Sequence, residues 1–153
     1  MKAFISKLLF ISILLATFAF STIGAEKEHV ISRGIAFSDQ NLEEVLSMAE
    51  NEQKLVYASF YTTWCAPCQM MKLRTYRNRD AGEFFNEHFV SIQINGGKGD
   101  GADTAEEFGV TSFPTLVFIK PDGTIFYKTT GFHNADELVE MAAEVQSMYI
   151  ASK

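Results

Sequence analysis

Residues 55–68 read Leu-Val-Tyr-Ala-Ser-Phe-Tyr-Thr-Thr-Trp-Cys-Ala-Pro-Cys, and they carry the strongest indication of the fold. Its first half, Leu55 to Tyr61, is almost entirely apolar or aromatic, and such an unbroken run predicts a central strand that is covered on both faces. A strand of this kind needs helices on each side of its sheet, so we expect an α/β fold with a parallel or mixed sheet. The second half places Cys65 and Cys68 three residues apart, where a helix is expected to begin.

Periodicity and turn signals predict the elements around this stretch. We expect no second domain and no internal repeat. The expected order is an edge strand at 35–37, a helix opened by a capping-box pattern at 41–44, the strand at 55–61, a helix from Cys65 to about Tyr76, a short helix from Asp80, a strand at 89–94, a helix at 102–108 stopped by Gly109, a hairpin of strands 115–120 and 124–128, and a last helix opened by a capping box at 134–137.

Composition limits what the chain can do. It has 153 residues, which suffices for one domain with a real core, and 19 acids against 13 lysines and arginines give a formal charge of −6. Such a balance argues against a nucleic-acid-binding surface. Two cysteines exclude a multi-bridge disulfide scaffold and a four-cysteine zinc or iron–sulfur site. The glycine-rich loop at 95–101 lacks the terminal Gly-Lys-Ser/Thr of a phosphate-binding loop, so we interpret it as a flexible turn.

The first 25 residues are typical of a secretory signal peptide. Lys2 and Lys7 precede an apolar run from Leu8 to Phe20, and small residues end at Ala25. The alternative is an uncleaved anchor, because 18 residues reach the lower limit for spanning a bilayer. We therefore divide the chain into a signal peptide at 1–25, a polar lead-in at 26–34 and one domain at 35–153. Export, to a periplasm or out of the cell, would place the cysteines in an oxidising or enzyme-controlled compartment.

Cys65 and Cys68 form the most specific chemical signal. At a helix start, unpaired backbone N–H groups and the helix dipole stabilise a thiolate at Cys65, while Cys68 lies one turn inside and should be more buried. The pair therefore predicts reversible thiol–disulfide exchange, with Cys65 as nucleophile and Cys68 as resolving residue. Three alternatives stay open: a static disulfide, a zinc site and a metal carrier. A metal carrier would use Met70 or Met71 as a further ligand beside the cysteines. The three histidines are scattered along the sequence and favour no metal site: His29, His88 and His133.

The second signal is Phe113-Pro114-Thr115. A proline directly before an apolar strand, and after a helix, is a candidate for a cis peptide bond. Alone this signal is weak, but downstream of a cysteine pair it becomes strong.

These motifs, in this order, resemble the thioredoxin superfamily over about residues 37–149. The segment from Lys54 to Phe89 is most similar to exported thioredoxin-like domains, such as the C-terminal domain of the bacterial membrane reductase that passes electrons to the periplasm. The resemblance implies the thioredoxin fold, a central mixed sheet with helices on both faces, and thiol:disulfide oxidoreductase activity without a cofactor. It also implies protein disulfide or dithiol substrates and an upstream electron donor, which can be membrane-bound. The family's cis-proline maps to Pro114, against Cys65, and its substrate groove maps to Trp64, Phe113, Thr130 and Gly131.

Two departures from the family pattern are informative. Thioredoxins often bury an aspartate six residues before the first cysteine, where this chain has Ser59, and the lysine that pairs with it corresponds to about Gln93. A serine is no general base near neutral pH, so we expect slower or more specialised exchange. The intervening Ala66-Pro67 lacks the histidine of oxidising members, which favours a reducing or electron-passing role.

A function of a different class stays open beside the redox one. The same fold can serve as a peptide-binding or chaperone module without redox chemistry. Loss of both cysteines distinguishes the two hypotheses, because it would abolish exchange but leave binding by such a module intact.

Overall fold

The computed structural model describes residues 34–153, which form alternating strands and helices. The signal peptide predicted at 1–25, nearly all of the lead-in and His29 lie outside the described residues. The elements are β1 (Phe37–Ser38), α1 (Leu42–Glu52), β2 (Leu55–Tyr61), α2 (Ala66–Met70), a π-helical segment (Met71–Thr75), α3 (Arg79–His88), β3 (Phe89–Asn95), α4 (Asp100–Glu107), β4 (Thr115–Ile119), β5 (Ile125–Thr130) and α5 (Ala135–Ala151).

The five strands form one mixed sheet in the order β1-β3-β2-β4-β5. The strand predicted from the apolar run, β2, is central: β3 pairs with it in parallel from Leu55 opposite Phe89, and β4 pairs with it antiparallel on the other side. The predicted hairpin is confirmed as the antiparallel pair β4 and β5. Since β2 has a neighbour on each edge and helices above and below, its side chains are buried, which explains why the run is mostly apolar or aromatic.

Alternation along β2 divides the core into two layers. Leu55 and Tyr57 point to one face, where they pack with α3, α5 and the π-helical segment. Val56, Ala58 and Phe60 point to the other face, where they pack with α1 and α4. Helices therefore cover both faces of the sheet, as the sequence predicted.

The helix after the cysteines differs from the prediction of one helix from Cys65 to about Tyr76. It begins at Ala66 and widens into a π-helical turn, in which the Tyr76 N–H donates to the Met71 carbonyl five residues back, at 2.9 Å. The wider turn brings Met71, Thr75 and Tyr76 to the buried side together. Single π-turns of this kind are common near functional sites.

Several element boundaries also shift. The edge strand is Phe37–Ser38 rather than 35–37, and α4 begins at Asp100, two residues earlier than predicted. Asn134 and Glu137 form the full capping box expected at α5, but at α1 only the Asn41 half forms. Gly109 follows α4 with φ +59°, as expected of a glycine that ends a helix. No helix within residues 34–153 combines the length and apolar character needed to cross a bilayer.

Candidate redox site

Cys65 lies in the connection between β2 and α2 and Cys68 in the first turn of α2, and the two form a disulfide. The S–S bond is 2.07 Å long and the two Cα atoms are 5.3 Å apart. Cys65 is the N-cap residue of α2, and its sulfur accepts a hydrogen bond from the Cys68 backbone N–H at 3.2 Å. Pro67 fits within this first turn because its missing N–H has no intrahelical partner to lose. The backbone thus directs an N–H group at the first sulfur, which stabilises negative charge there.

The two cysteines are almost equally buried, which differs from the expectation that Cys68 is the more buried one. Cys65 is 4% exposed and Cys68 is 5% exposed. The reason is the N-cap geometry, which turns the Cys65 side chain back toward the Cys68 N–H, together with the S–S bond, which holds both sulfurs side by side. The neighbouring Trp64 is 77% exposed.

Trp64 and Phe113 were predicted to share a substrate groove, and the structure brings their rings together. The centroids are 6.3 Å apart in an edge-to-face arrangement. Behind Phe113 lies Gly96, where a Cβ atom would come within 2.6 Å of the Phe113 ring. Sequence reasoning missed Gly96, because nothing local indicates that an aromatic ring from a distant loop packs onto it.

Pro114, Thr130 and Gly131 also lie together. The Phe113–Pro114 bond is cis, as predicted. The Gly131 N–H donates to the Pro114 carbonyl at 2.8 Å, and Thr130 pairs with Thr115 across the sheet. Among the hydrogen bonds that the described residues form with one another, none uses the Phe113 backbone, so its polar groups are free for another chain. The Thr75 hydroxyl donates to the His133 carbonyl at 2.8 Å and ties the redox helix to the Gly131 loop.

Ser59 belongs to a buried group of hydroxyls. Its oxygen lies 2.7 Å from the Tyr76 hydroxyl, which is 3.4 Å from the Tyr57 hydroxyl. Burial raises the pKa of Tyr76, and burial together with the neighbouring Tyr76 raises the pKa of Tyr57 well above its usual value. Both phenols therefore stay protonated at neutral pH. The two tyrosines were not predicted as part of the site, because only the fold brings Tyr76 under Ser59.

The methionines and histidines considered as metal ligands lie in different parts of the structure. Met71 is fully buried in the core with its sulfur 3.9 Å from the Tyr76 hydroxyl, whereas Met70 is exposed. His133 lies in the Gly131 loop and His88 ends α3. Within residues 34–153, no three histidine, cysteine or acidic side chains group as a metal site would require.

Comparison with known proteins agrees with this geometry. The sequence model of the thioredoxin-like domain family matches residues 42–146. Thioredoxin of Bacillus subtilis is 30% identical over 94 residues, which cover 61% of this chain and 84% of that protein. A UBX domain-containing protein 7 homolog of Dictyostelium discoideum is 28% identical over 64% of this chain, yet the match spans only 20% of that longer protein.

Solved structures give the same result. A Bacteroides thetaiotaomicron protein assigned as a disulphide isomerase is 33% identical, with a TM-score of 0.65 and coverage of 74% of this chain and 94% of that one. The oxidised C-terminal domain of Neisseria meningitidis DsbD, 22% identical, superposes with a TM-score of 0.58 over 72% of this chain and 97% of its own, which shows a shared fold. The family match covers most of the chain and includes the Cys65–Cys68 pair. The chain therefore belongs to the thioredoxin-like domain family, as a domain of the thiol:disulfide oxidoreductase type.

Proposed function

We propose that this protein is an exported disulfide reductase, in which Cys65 is the nucleophile and Cys68 the resolving residue. The observation that carries the proposal is the position of the Cys65 sulfur at the N-cap of α2, where it accepts a hydrogen bond from the Cys68 N–H beside the exposed Trp64. Donors directed at that sulfur favour its thiolate, which is the form that attacks a disulfide.

The reaction proceeds in two exchanges. The Cys65 thiolate attacks one sulfur of a substrate disulfide, forms a mixed disulfide and releases the other substrate sulfur as a thiolate. The Cys68 thiolate then attacks the Cys65 sulfur, which closes the Cys65–Cys68 disulfide and releases the second substrate thiolate. The substrate gains two electrons and the protein loses two, so a dithiol donor must reduce the pair again. We propose that this donor is another protein, which can be membrane-bound.

The residues around the pair have the arrangement that a docking groove for an extended peptide requires. Trp64 and Phe113 form an aromatic wall, and Pro114, Thr130 and Gly131 lie at the same end of the sheet. The unpaired Phe113 backbone supports main-chain hydrogen bonding to a substrate strand.

The reductive direction rests on the residues between the cysteines. Ala66 and Pro67 carry no charge and no imidazole that would further stabilise the reduced form. Equilibration with glutathione should therefore give a potential nearer to that of thioredoxin, about −270 mV, than to that of the strong oxidant DsbA, about −120 mV. A potential near the latter value would reverse the proposed direction.

The catalytic roles can be tested with two single variants in an insulin-reduction assay driven by dithiothreitol. Cys65→Ser should lower turnover to the rate of dithiothreitol alone, because it removes the attacking sulfur. Cys68→Ser, reduced and then freed of dithiothreitol before it is mixed with insulin, should keep the attacking sulfur and accumulate a mixed disulfide with the substrate, visible after acid quenching and alkylation on a non-reducing gel. Cys68→Ser is thus the matched control for Cys65→Ser. Turnover that survives in Cys65→Ser, or substrate capture by it, would contradict the assignment.

A further inference from the structure

A short run of cations begins on the helix that carries the redox pair and ends at the first residue of α3. Lys72, Arg74, Arg77 and Arg79 fall within eight residues, and all four side chains are exposed. We call residues 72–79 the cationic segment. None of its side chains forms an ion pair with another described residue; the ion pair found within residues 34–153 joins Lys54 and Glu52.

The rest of the described domain has the opposite charge. Residues 34–153 contain nine lysines and arginines against seventeen acids, and four of those nine cations belong to the cationic segment. Twelve of the acids lie on other helices, four each on α1, α4 and α5, whereas three follow the cationic segment on α3, at Asp80, Glu83 and Glu87. The cationic segment is thus a local group of positive charges on a domain of negative net charge, and this favours the approach of an acidic partner there.

The cationic segment lies within reach of the reacting sulfur. Lys72 and Arg74 belong to the π-helical turn that continues α2 directly from Cys65 and Cys68. At a rise of about 1.5 Å per residue, they lie roughly 10–13 Å along the helix from Cys65. An extended peptide advances about 3.3 Å per residue, so a side chain three or four positions from its own cysteine reaches that distance.

The surface between the sulfur and the cations suits a docked polypeptide. Ala66, Met70 and Leu73 recur at helical spacing on the exposed side and lead from Cys65 toward Arg74. On the opposite side of the same helix, Met71 and Thr75 are buried, and the bond from Thr75 to the His133 carbonyl fixes the orientation. Lys72 and Arg74 are therefore held outward beside an apolar stripe that starts at the redox pair.

We propose that the cationic segment is a docking site for acidic polypeptide, and that it selects disulfide substrates with acidic residues three or four positions from the reacting cysteine. This inference rests on the proposed exchange function, because it names the class of partner that the same site prefers. Electrostatic attraction of this kind raises the association rate and weakens with salt.

The test uses the full chain, reduced with dithiothreitol and freed of it, and three synthetic peptides that differ in one triplet. Each peptide carries one cysteine joined through a disulfide to thionitrobenzoate, followed from the third position by three glutamates, three glutamines or three lysines. Attack at the peptide sulfur releases the coloured thionitrobenzoate thiolate, and Cys68 then frees the peptide thiol. At 20 mM NaCl we expect the glutamate peptide to react at least about fivefold faster than the lysine peptide, with the difference lost at 500 mM NaCl.

Two double variants test whether the preference for acidic peptides depends on the cationic segment. Lys72→Gln/Arg74→Gln changes only exposed side chains, and it should remove the preference while leaving the rate with the glutamine peptide unchanged. Lys120→Gln/Lys153→Gln removes the same charge far along the chain from the redox helix, and it should keep the preference.

The outcomes separate this inference from the proposed function. Equal rates with all three peptides, or a preference that survives in Lys72→Gln/Arg74→Gln, would overturn the docking site and leave exchange intact. No reaction with any peptide would overturn both proposals. Binding to vesicles of phosphatidylcholine and phosphatidylglycerol, without any peptide preference, would assign the cationic segment to a lipid surface and also overturn the inference.

Discussion

Ser59 occupies the position where the resemblance to thioredoxins places a buried aspartate. Its hydroxyl is buried and paired with the Tyr76 hydroxyl, in a group that is completed by Tyr57. Because burial raises the pKa of both phenols, the group remains neutral at physiological pH. It therefore supplies hydrogen bonds but no base that could take a proton from Cys68 in the proposed second exchange.

Replacing Ser59 by aspartate tests whether this missing base limits the rate. If it does, Ser59→Asp should raise turnover in the insulin assay by up to about 10²-fold, because a carboxylate can accept the Cys68 proton. The variant should also lose about 1–3 kcal/mol of unfolding free energy, since its charge is buried beside neutral hydroxyls. Ser59→Asn, which has the same size and no charge, is the control and should lose stability without gaining rate. Equal turnover in wild type and Ser59→Asp would show that proton removal is not limiting.

The glycine-rich loop between β3 and α4 was predicted to be a flexible turn, and in the structure it packs against the end of β2 and the Phe113 ring. The Gly96 N–H donates to the Tyr61 carbonyl, so the loop is attached to the end of β2. Asp100 and Gly101 already belong to α4. A side chain at Gly101 would collide with the Asn95 carbonyl, and one at Gly96 would press on the Phe113 ring. The loop thus supports the aromatic wall of the site from behind.

Gly96→Ala is expected to destabilise the fold through that ring. Its Cβ atom would lie 2.6 Å and 2.8 Å from two Phe113 ring carbons, and such overpacking costs about 1–3 kcal/mol in urea unfolding. Phe113→Leu removes the colliding atoms, so Gly96→Ala should cost less in that background than in wild type. An equal cost in both backgrounds would place the strain elsewhere, for example in the bond between Gly96 and Tyr61.

At the scale of the whole chain, the fold places every predicted redox residue at one end of the sheet. The Cys65–Cys68 turn follows β2, the Pro114 step precedes β4, and Gly131 follows β5. Since β4 runs antiparallel to β2, the start of one strand lies beside the end of the other, and Phe60 pairs with Thr115. The site is therefore a consequence of the mixed topology.

Export can be tested on the whole chain in a bacterial host. If residues 1–25 are a cleaved signal peptide, the protein in the extracytoplasmic fraction should begin at Glu26 and have the mass of 128 residues. Leu14→Arg/Leu15→Arg interrupts the apolar run and should leave the uncleaved protein inside the cell. Recovery of the intact 153-residue chain in the membrane fraction would instead favour the uncleaved anchor.

The α/β class, the central strand, the redox pair and the cis-proline step could all be predicted from the amino-acid sequence, because each depends on local signals. An apolar run predicts a strand that is buried on both faces, and a helix start stabilises the thiolate of a cysteine pair. A proline makes a cis peptide bond accessible at its own position. Three features became visible only in the folded protein: the π-helical turn, the hydrogen bond between Ser59 and Tyr76, and the packing of the Phe113 ring on Gly96. The Ser59–Tyr76 and Phe113–Gly96 contacts join residues from separate elements, and the π-helical turn places Met71, Thr75 and Tyr76 together on the buried side. A chain read in order carries no signal for contacts that arise when helices pack onto a sheet.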